Sequence, residues 1–303
     1  MGNFLIVVAG PTGVGKTALS IQLARQFNTE IVSADTRQIY REMLIGTARP
    51  TNEEMDDIPH QLLGHLSVHD QYDARKYALE ASEVLRAIHQ KNSVAILCGG
   101  SGLYIQSLLE GFDDIPEVPD EIRDGIAASF SANGLGWLQN EVEKADPEWY
   151  AHSDQKNYRR LLRALEVFTA TGKGLSHFQV KQHHHLDYTP IWIGLDLPRP
   201  ELYERINQRV MAMVKSGLFE EAEKLYPFKD LNALQTVGYR EIFEFMEGRI
   251  DRSEAIRLIQ QNTRHYAKRQ LTWFRKNESI QWFRPDQQSE IKSYIQKNIN
   301  EAS

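Results

Sequence analysis

An apolar strand that runs directly into a glycine-rich loop constrains the fold of this chain more than any other feature. Residues 4–10 read FLIVVAG, and the loop GPTGVGKT at 10–17 leads into the amphipathic pattern TALSIQLARQF at 17–27. A continuous apolar strand is typical of a parallel sheet that helices cover on both faces. The sequence therefore predicts an α/β fold that begins with a strand, a tight turn and a helix.

Strand and helix patterns go on alternating along much of the chain. Further strands are predicted at 30–35 (EIVSAD), 93–98 (SVAILC) and 189–198 (TPIWIGLDLP). The predicted helices of this part are 17–27, 74–90, 199–226 and 252–276, and the segment SVAILCGGSGLYIQSLLEG at 93–111 is predicted as strand, glycine turn and a further helix. The alternation indicates a P-loop-containing α/β fold with a three-layer core around a parallel sheet.

The alternation is interrupted in the middle of the chain. The segment GFDDIPEVPDE at 111–121 combines turn-forming residues with a burst of acidic ones, and helical patterns follow it until about residue 187. The strand at 189–198 then restores the sheet pattern. We therefore predict a core in two parts, 1–112 and 188–303, with a helical insertion at 113–187.

Composition limits the class of protein. No segment of the 303 residues approaches the roughly 20 consecutive apolar residues of a membrane span. The first residues carry no basic segment and no cleavage site, so we expect no signal peptide. The single cysteine, Cys98, excludes an intramolecular disulfide and a multi-cysteine zinc site. We predict a cytoplasmic protein without a membrane partner.

Charge is unevenly distributed along the chain. The formal net charge is −6, but residues 155–185 hold six Lys or Arg against one Glu, and residues 252–284 hold eight against two acidic residues. By contrast, residues 110–154 hold twelve acidic residues against two basic ones. A polyanion responds to the local field, so the two basic segments fit a nucleic-acid surface. They also fit solvated helix faces with no partner.

The glycine-rich loop predicts a phosphate site. Gly10, Gly15, Lys16 and Thr17 fit the pattern G-x-x-x-x-G-K-[ST], in which loop N–H groups and a helix amino terminus surround an anion. Lys16 would add a cation, and the Thr17 hydroxyl a ligand for Mg²⁺. The residues predicted to bind the diphosphate or nucleotide are Gly10, Pro11, Thr12, Gly13, Val14, Gly15, Lys16 and Thr17.

An acidic residue follows the strand at 30–35 rather than the strand at 93–98. The latter ends in Cys98 and glycines, whereas many P-loop ATPases carry an Asp at the end of a second apolar strand. Asp35 suits a group transfer in which an acceptor loses a proton while a diphosphate leaves. An indirect role in holding Mg²⁺ is the alternative for Asp35.

Seven ordered motifs resemble one family. They are GPTGVGKT at 10–17, DTRQIYREMLIGTARP at 35–50, GGSGLY at 99–104, RRLLRALEVFTATGK at 159–173, LYERINQRV at 202–210, VGYRE at 237–241 and TRHYAKRQLTWFR at 263–275. Together they span nearly the whole chain and are similar to tRNA dimethylallyltransferases (tRNA isopentenyltransferases). The resemblance implies transfer of a dimethylallyl group from dimethylallyl diphosphate to N6 of the adenosine 3′-adjacent to the anticodon, in tRNAs that read U-initial codons. The loop would then hold the diphosphate that is released.

The resemblance also implies roles for single residues. Asp35 would be the general base, with Thr36, Arg37 and Gln38 lining the site of a flipped-out adenine. Ser101 stands where the family usually has Thr, at the meeting point of donor and acceptor. Arg209 would bind the diphosphate and balance its charge as it leaves, and Arg205, four residues earlier on the same helix face, is also predicted to bind the diphosphate or nucleotide. An exposed ion-pairing face with Glu201 and Glu204 is the alternative for this arginine pair.

The same resemblance implies that the two basic segments bind tRNA. The predicted tRNA contacts outside the catalytic residues are Arg123, Arg159, Arg160, Arg163, Gly238, Tyr239, Arg240, Lys268, Arg269, Trp273 and Arg275. Arginines can contact phosphates, and arginine or aromatic planes can stack on splayed bases. Composition alone favours a core position for Trp273 and Phe274.

Three features depart from common family patterns or fall outside them. Arg159-Arg160 replaces a common Gln-Arg pair, Arg49 replaces a more usual Lys, and one cysteine excludes the zinc finger of many eukaryotic relatives. The histidines at 183–185 fit a solvated loop better than a metal site. The chain thus resembles the compact bacterial form.

Three other functions stay open on the sequence alone. A small-molecule P-loop kinase or ATPase would turn over ATP without RNA, an adenylate isopentenyltransferase would use free AMP or ATP as acceptor, and a binding protein would not catalyse at all. The basic segments argue against the first two, and intact Lys16, Thr17 and Asp35 argue against the third. We expect a monomer that needs tRNA, dimethylallyl diphosphate and Mg²⁺ and no protein partner.

Overall fold

The computed structural model describes residues 2–113, 115–179 and 186–302 and divides the chain into two compact units. The first comprises residues 1–109 and 185–303, and the second comprises residues 110–184. None of the helices in the described ranges is both long and apolar enough to cross a bilayer. The histidines at 183–185 lie outside the described residues.

The first unit contains a six-stranded parallel sheet. Its strands are β1 (Phe4–Ala9), β2 (Ile31–Ala34), β3 (His60–Gln61), β4 (Val94–Gly99), β5 (Thr189–Leu195) and β6 (Gln281–Phe283). Their spatial order is β3-β2-β4-β1-β5-β6, and every pair is parallel. The predicted α/β fold with a parallel sheet is confirmed. The sequence did not predict β3 and β6, which are too short to show a strand pattern.

Thirteen α-helices lie in the described part of the chain. They are α1 (Lys16–Phe27), α2 (Asn52–Met55), α3 (Ala74–His89), α4 (Gly102–Glu110), α5 (Asp120–Ala145), α6 (Pro147–His152), α7 (Tyr158–Thr171), α8 (Leu175–Phe178), α9 (Arg199–Lys215), α10 (Leu218–Leu225), α11 (Tyr239–Met246), α12 (Arg252–Phe274) and α13 (Gln288–Ala302). The prediction of one helix over 199–226 was wrong. Gly217 adopts φ 100°, a left-handed conformation that ends one helix and starts the next.

The sheet is buried on both faces, which explains its continuous apolar strands. All six residues of β1 are buried. Helices α1, α9, α12 and α13 contribute to the same hydrophobic cluster as β1, through residues such as Leu23, Ile206, Ala267 and Ile295. A second cluster joins α9, α10, α11 and α12 to the segment after β2. With both faces covered by helices, the loops that a ligand can reach are those at the edge formed by the carboxyl ends of the strands.

The register of the strands places several loops at that edge. Ala9 of β1 pairs with Gly99 of β4, and Gly99 also pairs with Ala34 of β2. The residues that directly follow these three, including Gly10 and Asp35, therefore leave the sheet at the same level. Ligands of open parallel sheets bind outside the carboxyl ends of the strands.

The second unit is helical. Its core residues, such as Leu138, Val142, Trp149 and Leu161, come from α5, α6 and α7. The buried Asp146 carboxylate holds its turns together by accepting N–H bonds from Trp149 and from Ser176. The dihedral angles of Gly134 are not helical and divide α5 into two segments. That this unit binds a tRNA stem-loop stays a prediction.

Candidate active site

The glycine-rich loop, residues 10–17, connects β1 to α1. Gly13 and Gly15 have φ of 81° and 109°, values that other residues rarely adopt. A Cβ on Gly10 would lie 2.6 Å from the Leu195 carbonyl oxygen, so only glycine fits there. These conformations wrap the backbone around the amino terminus of α1, where unpaired N–H groups favour an anion.

Lys16 folds back onto the loop. Its Nζ donates to the carbonyl oxygens of Gly10 at 3.0 Å and Pro11 at 2.9 Å. Burial lowers the pKa of Lys16 to about 8, although the nearby Asp35 acts in the opposite direction. The next residue, Thr17, is exposed at the start of α1, and its hydroxyl makes no hydrogen bond within the described residues. The loop thus presents a cation and a free hydroxyl side by side.

Asp35 is held in one orientation by its own turn. Its Oδ1 accepts N–H bonds from Arg37 at 2.9 Å and Gln38 at 3.2 Å. In the part of the chain that the structure describes, Oδ2 accepts no hydrogen bond. The carboxylate acts electrostatically on both Lys16 and Arg209. Asp35 therefore offers one fixed, unpaired oxygen close to two cations.

Ser101 lies in the turn between β4 and α4, which we call the serine turn (residues 99–102). Its Oγ accepts the Thr36 N–H at 3.0 Å, and its own N–H donates to the Ala34 carbonyl at 3.2 Å. The serine turn is thereby fastened to the segment that carries Asp35. Burial raises the pKa of Tyr266 of α12 to about 12, and the nearby Asp35 carboxylate acts in the same direction. The phenol stays neutral and keeps its proton at physiological pH.

Two arginines of α9 face the glycine-rich loop and the segment after β2. Arg205 donates to the Val14 carbonyl at 3.3 Å, and Arg209 donates to the Ala48 carbonyl at 3.2 Å. Burial lowers the pKa of Arg209, and the Asp35 carboxylate opposes that effect.

The alternative of an exposed ion-pairing face gains no support from the contacts. Glu201 pairs with Arg284 at 3.2 Å instead. Glu204 accepts a hydrogen bond from Gln208 at 2.8 Å. The two arginines therefore face the candidate site, and the two glutamates have other partners.

The side chains predicted to line an adenine site are partly used to hold the loops. The Arg37 guanidinium donates to the Asn232 carbonyl at 2.9 Å. The Gln38 amide donates to the carbonyls of Thr47 and Ala48 at 3.1 and 3.2 Å. These bonds position the Asp35 turn against the segment that also receives Arg209.

Helix α12 presents its predicted tRNA contacts to solvent. Lys268 and Arg269 are exposed, and 44% of the Trp273 surface is accessible, whereas Phe274 is buried. Trp273 is therefore not a core residue, although its indole packs against Gly102 of the serine turn. Arg275 pairs with Asp196 at 2.8 Å. A cavity of about 400 Å³ lies along this face, and its lining consists of His265, Lys268, Arg269, Thr272, Trp273 and Lys276.

The structure corrects the expectation for VGYRE. Tyr239 is fully buried and its hydroxyl donates to Glu221 at 2.6 Å, so its side chain has no surface on which to contact tRNA. Gly238 is also buried, and only Arg240 of the three is exposed. The ring of Tyr239 packs against Gly46, where any side chain would overlap it. A tight internal contact explains the residue better than a surface role.

The predicted contacts of the second unit lie mainly at the start of α7. Arg159 and Arg160 are exposed, and their guanidinium groups lie over the rings of Tyr158 at 5.8 Å and Trp149 at 5.5 Å. Arg163 lies 3.8 Å from Glu166, and Arg123 lies 3.4 Å from Asp120 on α5. Tyr158 is exposed and Trp149 is buried, so this surface offers cations beside one accessible aromatic ring.

Sequence reasoning assigned no site role to Tyr266, Gln270 or Glu221. Tyr266 and Gln270 are four residues apart and share the inner face of α12. The spacing was a visible signal, but the neighbouring basic residues suggested only an outer surface. Glu221 gave no such signal, because its partners are backbone N–H groups that no residue pattern reveals.

Comparisons with known proteins agree with this architecture. The family model for IPP transferase matches residues 38–277. The tRNA dimethylallyltransferase of Christiangramia forsetii is 46% identical over 99% of this chain and 100% of its own length, and that of Cytophaga hutchinsonii is 43% identical over 99% of each chain.

Solved structures are similar over most of the chain. The tRNA isopentenylpyrophosphate transferase of Bacillus halodurans has a TM-score of 0.73 and 35% identity, covering 99% of this chain and 97% of that one. A eukaryotic dimethylallyltransferase, solved as snapshots of its action on tRNA, has a TM-score of 0.76 and 27% identity over 90% of this chain and 70% of its own. By fold and by sequence, this chain belongs to the IPP transferase family.

Proposed function

We propose that this protein transfers the dimethylallyl group of dimethylallyl diphosphate to N6 of the adenosine 3′-adjacent to the anticodon in tRNAs that read U-initial codons. The observation that carries the proposal is the fixed, unpaired Oδ2 of Asp35, close to Lys16 and Arg209. An adenine amine is a poor nucleophile, so it needs both a base and a stabilised leaving group. This edge of the sheet supplies both.

The glycine-rich loop would bind the diphosphate. Its N–H groups, the Lys16 amine and the two α9 arginines form one electropositive surface around the start of α1. When a diphosphate binds, the Lys16 amine would give up its hydrogen bonds to the Gly10 and Pro11 carbonyls and donate to the diphosphate instead. Lys16 would then be charged and paired.

The residues present fit Mg²⁺ at this site. Magnesium commonly takes one or two protein ligands and completes its shell with substrate phosphates and water. The exposed, unbonded hydroxyl of Thr17 can be such a ligand. The ion, when bound, would neutralise charge on the diphosphate.

The transfer itself would use Asp35 and the cations together. The lone pair of adenine N6 forms a bond to C1 of the allyl group, while the C1–O bond breaks and its electron pair leaves with the diphosphate. The amine proton passes to Oδ2 of Asp35. Lys16, Arg205 and Arg209 stabilise the negative charge that develops on the departing oxygen.

A tRNA acceptor fits better than a free nucleotide. The exposed Lys268, Arg269 and Trp273 of α12 offer phosphate contacts and a stacking surface, for which a mononucleotide has no use. An enzyme that modifies a base must take it out of its stack and hold it in a pocket. We propose a monomeric enzyme that acts in the cytoplasm, where tRNA is found.

The direct test is an incubation with labelled dimethylallyl diphosphate and unmodified tRNA, with ATP as an alternative donor and AMP as an alternative acceptor. We expect label in tRNA only, released diphosphate in equal amount, and no label transfer by Asp35→Asn. Brisk hydrolysis of ATP without any transfer would instead support the P-loop ATPase alternative.

A further inference from the structure

One buried amide on α12 bridges the two loops on which the proposed reaction depends. Gln270 is only 6% exposed. Its Oε1 accepts the Thr12 N–H of the glycine-rich loop at 2.9 Å, and its Nε2 donates to the Gly100 carbonyl of the serine turn at 2.9 Å. The amide thus pairs with one partly buried donor, the Thr12 N–H, and with one acceptor of a buried residue, the Gly100 carbonyl.

The packing around this amide leaves no spare room. A Cβ on Gly100 would overlap the Gln270 amide and lie 3.6 Å from the Gly10 carbonyl oxygen. One helical turn later, Trp273 packs in the same way against Gly102. The two glycines let the last turns of α12 rest directly on the serine turn.

The serine turn is in turn bonded to the segment that carries Asp35, the proposed general base. Ser101, the neighbour of Gly100, accepts the Thr36 N–H at 3.0 Å, and Thr36 follows Asp35 directly. The two hydrogen bonds of Gln270, the peptide bond from Gly100 to Ser101 and the hydrogen bond from Thr36 to Ser101 therefore connect Thr12 to the Asp35 turn. A change at the amide would alter the separation of the donor loop and the base.

We propose that Gln270 is a positioning residue that sets the distance between the bound diphosphate and the carboxylate of Asp35. The inference rests on the proposed function and concerns residues of the same site. Both polar atoms of the Gln270 side chain are already bonded to the backbone, so we assign it no contact with the diphosphate or the adenine. It acts by fixing the glycine-rich loop relative to the serine turn, because small displacements of reacting groups reduce rates strongly.

An amide is suited to this place because it accepts with one atom and donates with the other. An ionised glutamate would still accept from Thr12 but would repel the Gly100 carbonyl. A protonated glutamate could restore both bonds, and burial raises the pKa of a carboxyl group. Gln270→Glu should therefore be a pH-dependent variant, and Gln270→Leu a variant that lacks both bonds at every pH.

The test uses the whole enzyme, labelled dimethylallyl diphosphate and tRNA, with single-turnover transfer measured between pH 6 and pH 8. Gln296→Glu and Gln296→Leu are the controls, since Gln296 is exposed on α13 and bonds only to nearby Asn300. Each rate is divided by the wild-type rate at the same pH. Both proteins share the charged and titratable groups of the site, namely Lys16, Asp35, Cys98 and Tyr266, so the ratio cancels any effect of pH that acts through them alone. The folded fraction and the tRNA dissociation constant are measured in parallel.

We expect Gln270→Leu to transfer at least about tenfold more slowly per folded molecule, because a displacement of the reacting groups by about 1 Å can lower the rate by about 100-fold. Binding of tRNA should stay within about twofold of wild type. The relative rate of Gln270→Glu should rise as the pH falls, by up to about tenfold per unit while its carboxyl remains mostly ionised.

Three outcomes would overturn the inference. They are equal transfer by wild type and Gln270→Leu, a relative rate of Gln270→Glu that does not change with pH, and losses that follow the folded fraction alone. If the wild-type enzyme itself transferred nothing, the proposed function would fail instead, so the two failures are distinguishable.

Discussion

Glu221 of α10 offers the sharpest test of how the site is held together. Its carboxylate accepts three consecutive backbone N–H bonds, from Leu44 at 2.9 Å and from Ile45 and Gly46 at 2.8 Å each. It also accepts the Tyr239 hydroxyl at 2.6 Å. The segment held in this way continues to residues 47–49, whose backbone receives the side chain of Arg209.

The contacts of Glu221 allow an estimate of how much stability Glu221→Ala should lose. Tyr239 is fully buried, so its hydroxyl would lose its partner without reaching water. An unmet buried donor costs about 1–3 kcal/mol. Leu44 is exposed and can turn to solvent, whereas Ile45 and Gly46 are only partly accessible. We therefore expect the free energy of unfolding to fall by about 3 kcal/mol, which corresponds to a decrease in Tm of about 5 °C in a chain of this size.

The assay is equilibrium unfolding in urea, followed by fluorescence, with Glu220→Ala as the matched control. Glu220 is the preceding residue on α10 and is exposed, so its removal should change the free energy of unfolding by less than about 0.5 kcal/mol. Equal stability of the two variants would refute the reasoning, because the four hydrogen bonds would then contribute nothing measurable.

Three further predictions concern the proposed reaction. Asp35→Ala should abolish prenyl transfer and leave tRNA binding largely intact in a filter-binding assay; equal transfer by variant and wild type would remove Asp35 as the base. The affinity for diphosphate, measured calorimetrically, should fall as the pH rises above about 8. Burial lowers the pKa of Lys16 to about 8, so above that pH the ligand-free amine is mostly neutral and must take up a proton to pair with the anion. Lys16→Met should bind weakly with no such pH dependence, and a parallel decline in the variant would contradict this account. Lys268→Ala and Arg269→Ala should each weaken tRNA binding. The slope of log binding constant against log salt concentration should become shallower by about 0.7–0.9 for every phosphate that the variant no longer neutralises, and Lys292→Ala on α13 is the exposed control. Unchanged binding at every salt concentration would place the tRNA elsewhere.

Much of the fold could be predicted because its signals are local. The apolar run of β1 and the loop that follows indicated a buried parallel strand that opens onto a ligand site, and the structure has that strand at Phe4–Ala9. The predicted helix 74–90 appears as Ala74–His89. The failure at 199–226 arose because Ser216-Gly217 does not interrupt the apolar spacing, although Gly217 adopts a left-handed conformation.

The site was predictable only where one segment carries the information. Asp35 could be placed at the sheet edge because it directly follows a strand, and parallel strands end at the same edge. Tyr239 was predicted to contact tRNA because VGYRE resembles a tRNA-contacting motif of the family, but packing against Gly46 buries it.

The amino-acid sequence by itself determined the strand–loop–helix unit, the α/β class and the set of residues able to bind an anion and remove a proton, since these depend on backbone preferences and on periodicity over short distances. Tertiary structure alone decided which oxygen of Asp35 is free, where the α9 arginines point and how Gln270 joins two loops. Gln270 and Thr12 are separated by 258 positions, and Gln270 and Gly100 by 170. Contacts over such separations depend on how the helices pack on the sheet, and no pattern within a single segment encodes that packing.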